Sequence, residues 1–283
     1  MTKFRPIIPQ RWKIAFVLTL FLVNYVPGPT QAASNQTQAT NNQNTGNGLD
    51  LSDPAKKEIA MQFVSSAENS TLDWRAQYGY IEDIGDHRGY TGGIIGFTSA
   101  TGDMIDVIEE YTKLAPKNTL TAFLPALRQV NGSASHKGLE TEFVTAWKLA
   151  AHDPLFQTAQ NNIRDRDYFY PALALAKIDG LGILGQLIYY DAAVVHGLGA
   201  EETTLNAIRA TALKYAKAPA QGGNEGDYLK AFLDARDEVM ESEEAHSDLS
   251  RDDAQRQFLR QGKLQLELPL KWTMYNDVYY IPK

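Results

Sequence analysis

The apolar positions of this chain recur mostly with the period of an α-helix. Asp53 and Pro54 form a helix-start signal, and the apolar residues that follow predict one amphipathic helix over residues 54–68. Residues 181–196 are apolar on nearly all sides, which is typical of a buried central helix. Further helical patterns cover residues 101–114, 119–130, 203–217, 227–244 and 252–261, and a segment that begins at Asp153-Pro154.

One stretch breaks this helical rhythm. Over residues 78–97, six glycines separate Tyr, Ile and Thr residues of the kind that favour strands. This pattern predicts a small antiparallel sheet with tight turns. The fold class predicted from the patterns is therefore mainly α, of α+β type, with one small sheet.

The first 33 residues have the pattern of a secretory signal peptide. Four basic residues precede an apolar run at residues 14–23, and small residues then offer cleavage after Ala32 or Ala33. A membrane anchor is the alternative interpretation, but ten apolar residues cross only about half of a ~30 Å hydrocarbon core. We therefore expect an exported, extracellular protein that does not engage a membrane once the leader is removed.

The next segment, residues 34–48, is rich in Asn and Gln and carries no charge. Because it has no large apolar side chain to bury, we expect a disordered polar linker there. The folded domain is predicted over residues 49–283. That length is enough to pack a core, and we expect a monomer.

Composition and charge exclude several classes of function. The chain has 34 acidic and 27 basic residues, and loss of the four basic residues of the leader deepens the formal net charge from −7 to −11. An acidic protein is a poor partner for nucleic acid and a good one for a cationic ligand. The absence of cysteine excludes disulfide scaffolds, thiolate zinc sites and cysteine nucleophiles.

The common motifs for nucleotide, dinucleotide, serine-hydrolase and zinc-protease chemistry are missing, and the five histidines show no ligand spacing. We therefore expect neither a metal nor another cofactor. Carboxylates and aromatic residues remain as candidate functional residues, and carbohydrate enzymes commonly use both.

Two carboxylates fit the roles that glycoside hydrolysis requires. Glu68, in the segment SSAENS, ends the first helix beside apolar residues, where partial desolvation would hold it in the protonated form that an acid needs. Asp86, in GDHRGYT, lies in a polar turn where a base would stay ionised. The alternative is that both are ordinary surface acids, and spacing alone favours that alternative.

The segment at residues 58–104, which contains both motifs, resembles the N-terminal signature of the family 46 chitosanases, glycoside hydrolases of the lysozyme-like superfamily. The resemblance continues through residues 124–139, 189–197, 219–236, 243–251 and 268–272. It implies two largely helical lobes around a substrate cleft, with the small sheet in the N-terminal lobe. It also implies an endo-acting enzyme that cuts β-1,4 bonds in chitosan, a cationic polysaccharide, with inversion at the anomeric carbon.

The resemblance also implies roles for individual residues. It makes Glu68 the general acid, Asp86 the general base, and Thr91 a residue that helps to hold the attacking water. Asp103 matches a carboxylate that binds a glucosamine amine. Weaker matches to substrate-binding positions are Ser70, Tyr80, Glu82, Arg88 and Glu243.

Asp191, Arg236 and Arg251 resemble a charged network behind the catalytic acid. A buried aspartate between two guanidinium groups is physically reasonable because each charge offsets the desolvation cost of the others. The alternative is a plain salt bridge that joins the two lobes. For the tryptophans of the folded domain, buried packing is the default expectation.

Two other functions compete with the chitosanase hypothesis. A lysozyme-like muramidase shares the helix-end glutamate before a sheet, but an enzyme that acts on anionic peptidoglycan is more often basic. A non-catalytic polysaccharide-binding protein is the other alternative, and it would not need both Glu68 and Asp86.

Overall fold

A computed structural model describes residues 49–242 and 248–283 of the chain. The predicted signal peptide, the predicted linker and Glu243 lie outside the described residues. The helices are α1 Pro54–Glu68, α2 Asp103–Leu114, α3 Leu124–Val130, α4 Thr141–Ala150, α5 Pro154–Arg164, α6 Tyr170–Ile178, α7 Ile183–His196, α8 Leu205–Tyr215, α9 Glu225–Ser242 and α10 Ser250–Arg260. Strands β1 Ile81–Asp83, β2 Tyr90–Gly92 and β3 Phe97–Thr98 form one sheet, and β4 Leu270–Met274 and β5 Asp277–Ile281 form a second.

Helix α1 forms where the sequence predicts it, because its first turn is capped. The Asp53 side chain accepts hydrogen bonds from the backbone N–H groups of Ala55 (3.1 Å) and Lys56 (3.3 Å), and Pro54 occupies the first helical position. The helix buries the predicted apolar face and ends at Glu68.

The antiparallel sheet β1-β2-β3 follows α1 and lies within the glycine-rich stretch that predicts it. Thr91 of β2 pairs with Glu82 of β1 and Thr98 of β3. This sheet, with α2 and α4 packed on it and α3 and α5 packed on α2, forms what we call the N-terminal lobe. Short 3-10 segments at Trp74–Gly79 and Thr119–Phe123 belong to the same lobe.

The C-terminal lobe consists of α7 to α10 and the β4-β5 hairpin. Helix α7 is buried along most of its length, as its apolarity predicts, and packs against α1, α6, α8 and α10. Phe63 of α1 lies 5.6 Å from Trp272 and 5.8 Å from Phe258, measured between ring centroids. These rings join α1 to β4 and α10, so the end of α1 is held against the C-terminal lobe.

Three features of the fold differ from the sequence prediction. The sequence predicts a single sheet, but the hairpin β4-β5 forms a second one. Helix α4 lies in a region for which no helix was predicted. Residues 119–130 are divided into a 3-10 segment and the short helix α3. The expectation of buried tryptophans is confirmed for Trp74, Trp147 and Trp272. Within the described residues, no helix combines the length and the apolarity that crossing a membrane requires.

The central position of α7 generates a stability prediction. Leu187 is fully buried, so Leu187→Ala should lower the free energy of unfolding by about 2–5 kcal/mol through lost burial and the cavity left behind. Leu149 is 66% exposed, and Leu149→Ala should change it by less than about 0.5 kcal/mol. Urea unfolding followed by circular dichroism measures both, and equal losses would contradict a central role for α7.

Candidate active site

Glu68 lies at the C-terminal end of α1 and is held from the C-terminal lobe. Its Oε1 accepts a hydrogen bond from Nη1 of Arg251 at 2.7 Å, and its side chain keeps 15% of its exposure. Arg251 is itself buried on the first turn of α10. Glu68 is therefore largely shielded from solvent, and a charged side chain contacts it where the sequence led us to expect apolar neighbours.

Behind Glu68 lies the network that the sequence singled out. Asp191 on α7 is fully buried and accepts from Nε of Arg251 (2.8 Å) and from Nη1 of Arg236 (2.9 Å). Burial by itself would raise the pKa of Asp191, but Arg251 and Arg236 outweigh it and hold that pKa below its ordinary value. The structure thus brings Asp191, Arg236 and Arg251 together, with Arg251 bridging Asp191 and Glu68.

Asp86 lies in the loop between β1 and β2, in a setting that differs from the open turn expected from the sequence. The Asp86 side chain is buried, and its Oδ2 accepts from Nε of Arg88 at 2.7 Å. The backbone N–H of Arg88 donates to Oδ1 at 3.0 Å. Arg88, expected to line the substrate site, therefore also balances the charge of the buried Asp86 carboxylate.

Local backbone conformation turns Asp86 inward. Three of the five residues at positions 85–89 have positive φ and so lie in the left-handed region: Gly85, His87 and Gly89. A Cβ on Gly89 would lie 2.3 Å from Oγ of Ser99, so this position has no room for a side chain. The positive φ of Gly89 and the close approach of the loop to Ser99, just after β3, thus both favour glycine at this position.

Asp103 begins α2 and has a clear local role. Its Oδ1 accepts three hydrogen bonds at 2.8 Å, from the backbone N–H groups of Thr98 and Met104 and from Oγ1 of Thr101. Burial raises the pKa of Asp103 to about 6, although these hydrogen bonds and the charge on Arg88 oppose the rise. The charge of Arg88 therefore acts on both Asp86 and Asp103.

The remaining candidates lie around these acids. Tyr80 is half-buried, and burial raises its pKa to about 12, assisted by the carboxylates of Glu82 and Asp86. Glu82 is exposed, opposite Thr91 in the sheet, and Thr91 is buried with a hydroxyl that has no hydrogen-bond partner among the described residues. Ser70 is exposed just after α1, with φ of 51°.

Sequence reasoning missed two tyrosines that lie near these charged groups. Tyr168 lies in the π-helical turn Asp165–Phe169, close enough to Asp103 and Arg88 for their charges to affect its phenol. Tyr275, at the tip of the β4-β5 hairpin, is similarly affected by Arg251 and Glu68. Both residues are distant in sequence from the acids, so no local pattern could identify them.

The chain is similar to known proteins in sequence and in fold. The model of the family described as Glycosyl hydrolase family 46 matches residues 62–270. A chitosanase from Streptomyces sp. (strain N174) is 57% identical over 272 residues, which is 96% of each chain.

Among the similar solved structures are one complex with substrate and one complex with chitotetraose. The co-crystal structure of chitosanase OU01 with substrate has a TM-score of 0.80 at 52% identity, covering 82% of this chain and 98% of that one. The Gynuella sunshinyii chitosanase in complex with chitotetraose has a TM-score of 0.74 at 35% identity, covering 80% and 97%.

The environment of Asp103 predicts a pH-dependent change in stability. A folded-state pKa above the ordinary value of 3.8 means that the stability Asp103 contributes is complete below about pH 4 and is lost as pH rises through about 6. In Asp103→Asn, the amide oxygen keeps the three hydrogen bonds, and no charge has to be buried. The variant should therefore gain stability over the wild type as pH rises from about 4 to 6, on the order of 2 kcal/mol.

Thermal melts of both proteins across that pH range measure this difference. Asp73→Asn, at an exposed position, serves as the control and should show no such trend. A difference between Asp103→Asn and the wild type that stays constant with pH would contradict the prediction.

Proposed function

The chain belongs to glycosyl hydrolase family 46, and we propose from this membership that it is a secreted, endo-acting chitosanase with an inverting mechanism. The substrate is chitosan, cut at β-1,4 bonds between glucosamine units. The match covers nearly the whole of the Streptomyces chitosanase, which supports carrying the activity to this chain. Secretion rests on the leader pattern at residues 1–33.

The observation that carries the mechanism is the bond from Arg251 to Glu68. An arginine normally favours the ionised form of a carboxyl group that it pairs with, and a general acid needs the protonated form. Here the other nitrogens of Arg251 lie on the fully buried Asp191, at 2.7 and 2.8 Å. Because Asp191 balances the guanidinium, Arg251 can fix the orientation of Glu68 without adding an uncompensated charge beside it. In the proposed reaction, Glu68 gives its proton to the glycosidic oxygen as the bond breaks.

Asp86 is the proposed general base. A base must be ionised and must remain so in the bound complex, and the Arg88 guanidinium at 2.7 Å supplies the compensating charge that a buried carboxylate needs. Asp86 takes a proton from water, and the resulting hydroxide attacks the anomeric carbon from the face opposite the leaving group. The hydroxyl of Thr91 is buried and has no hydrogen-bond partner in the described part of the chain, which supports its proposed part in holding that water.

Charge supports the proposed choice of substrate. Chitosan carries primary amines that are protonated in mildly acidic water, and the exported chain has an excess of acidic groups. Asp103 is the proposed partner of one glucosamine amine through Oδ2, because its Oδ1 is already engaged with α2 and β3. Further proposed contacts with sugar come from Ser70, Tyr80, Glu82, Arg88 and Glu243.

Single substitutions separate catalysis from binding. Glu68→Gln removes the transferable proton and Asp86→Asn removes the base, so each should lower kcat on chitosan by about 10²- to 10⁴-fold. Binding of chitosan oligomers, followed by calorimetry, should survive in both variants. Glu109→Gln, at a side chain already paired with Arg128, is a matched control that should keep full activity.

The rate of reducing-sugar release from chitosan, chitin and peptidoglycan tests the substrate. We expect the highest kcat/KM on chitosan. Cleavage of peptidoglycan alone would favour a muramidase. Full activity in both single variants, Glu68→Gln and Asp86→Asn, would remove both residues from the mechanism.

A further inference from the structure

One pair of residues closes the loop that carries Asp86. Asp83 and Tyr90 are partners at the end of the β1-β2 ladder, and residues 84–89, which we call the Asp86 loop, run between them. This pair fixes where the chain leaves the sheet and where it returns. Whatever holds Asp83 and Tyr90 in place therefore also sets the position of the Asp86 carboxylate.

His136 contacts both residues of this pair from a separate segment of the chain. It belongs to residues 131–140, between α3 and α4, and its ring stacks on the ring of Tyr90. The two ring centroids are 4.2 Å apart, and the angle between the ring planes is 18°. Nε2 of His136 lies 3.2 Å from Oδ2 of Asp83. A single side chain thus touches both ends of the Asp86 loop.

The segment that carries His136 is itself anchored. Leu139 is fully buried, and its backbone N–H donates to the carbonyl oxygen of His136 at 2.8 Å. At the other end of the segment, the N–H of Gly132 donates to the carbonyl oxygen of Ala100, two residues after β3, also at 2.8 Å. Because the segment is attached to the core and to the chain beside the sheet, it can support the Asp86 loop from outside.

The two ends of the loop are closely connected to the Asp86 carboxylate. On one side, Oδ1 of Asp83 accepts from the backbone N–H of Gly85 at 2.8 Å, immediately before Asp86. On the other side, Arg88 pairs with Asp86 at 2.7 Å and lies two residues before the stacked tyrosine. A shift at either end of the loop therefore reaches the carboxylate through few bonds.

We propose that His136 is a positioning residue for Asp86: its stack on Tyr90 and its contact with Asp83 hold the loop where the carboxylate can act on water. This inference rests on the proposed role of Asp86 as the general base. A misplacement of about 1 Å can cost about 10²-fold in rate, so a base at the end of a loop needs such support. Stacking of the two rings requires no charge on the imidazole.

His136→Ala removes both contacts. We expect kcat on soluble chitosan oligomers to fall by about 10- to 100-fold, because the loop loses its outside support. His136→Phe keeps a ring for Tyr90 to stack on, and it should recover kcat to within about threefold of the wild type. His152→Ala, at an exposed histidine of the same lobe, is the matched control and should keep the wild-type kcat.

Two further measurements separate positioning from a general loss of structure. Asp86→Asn removes the base, so adding His136→Ala to that variant should lower kcat by less than about twofold more. Hydrogen exchange followed by mass spectrometry should show residues 84–92 exchanging about three- to tenfold faster in His136→Ala, with exchange in α7 unchanged. Where His136→Ala fails to fold in thermal melts, Tyr90→Leu removes the same stack from the other side.

Each outcome decides between a positioning and a purely structural role. A loss of kcat by the same factor with Asp86 and with Asn at that position would overturn the inference and make His136 a structural residue. A His136→Phe variant no more active than His136→Ala would also contradict it. Failure of the proposed function is distinguishable, because then Asp86→Asn would itself remain fully active. An impaired Asp86→Asn beside a wild-type kcat in His136→Ala rejects this inference alone.

Discussion

The structure depends on the ion pair between Asp191 and Arg251. A fully buried carboxylate is costly unless positive charge and hydrogen bonds surround it, and Arg251, Arg236 and Gln255 together supply them. These side chains come from α7, α9 and α10, so the pair also fixes how three helices of the C-terminal lobe meet. Helix α1 is attached as a fourth element, because Nη1 of Arg251 donates to Glu68.

Asp86 is organised in a different way. Its partner Arg88 lies two residues away in the same loop, and left-handed residues on either side turn the chain so that the carboxylate is buried. Glu68 is thus held by contacts over a long sequence distance and Asp86 by contacts within its own loop. Two acids with such different surroundings suit two different tasks, one giving and one taking a proton.

The sequence predicts most clearly the helices and strands that local interactions determine. Helix α1 begins at a capped proline and ends at Glu68 as predicted, since Asp53 and the apolar spacing specify both. Helix α7 followed from its apolarity. The β4-β5 hairpin was not predicted because its turn at Tyr275 and Asn276 lacks glycine, although both residues have positive φ.

The candidate site shows the same division. Glu68 and Asp86 were found from their motifs, and the network of Asp191, Arg236 and Arg251 from resemblance alone, since its members are up to 60 residues apart. The burial of Asp86 was not predicted, because a polar turn sequence gives no sign of the inward fold that Arg88 compensates. Tyr168 and Tyr275 were missed, because their places depend on a π-helical turn and on the tip of a hairpin.

The central claim is that Glu68 and Asp86 divide the work of a single displacement, with Asp191 and Arg251 orienting the acid. The stereochemistry of the first product tests it most directly. Proton NMR during the first minutes of chitosan hydrolysis, before mutarotation, should show the α-anomer at the new reducing end. Initial formation of the β-anomer would mean a double displacement and would contradict the assignment of Asp86 as a base acting on water.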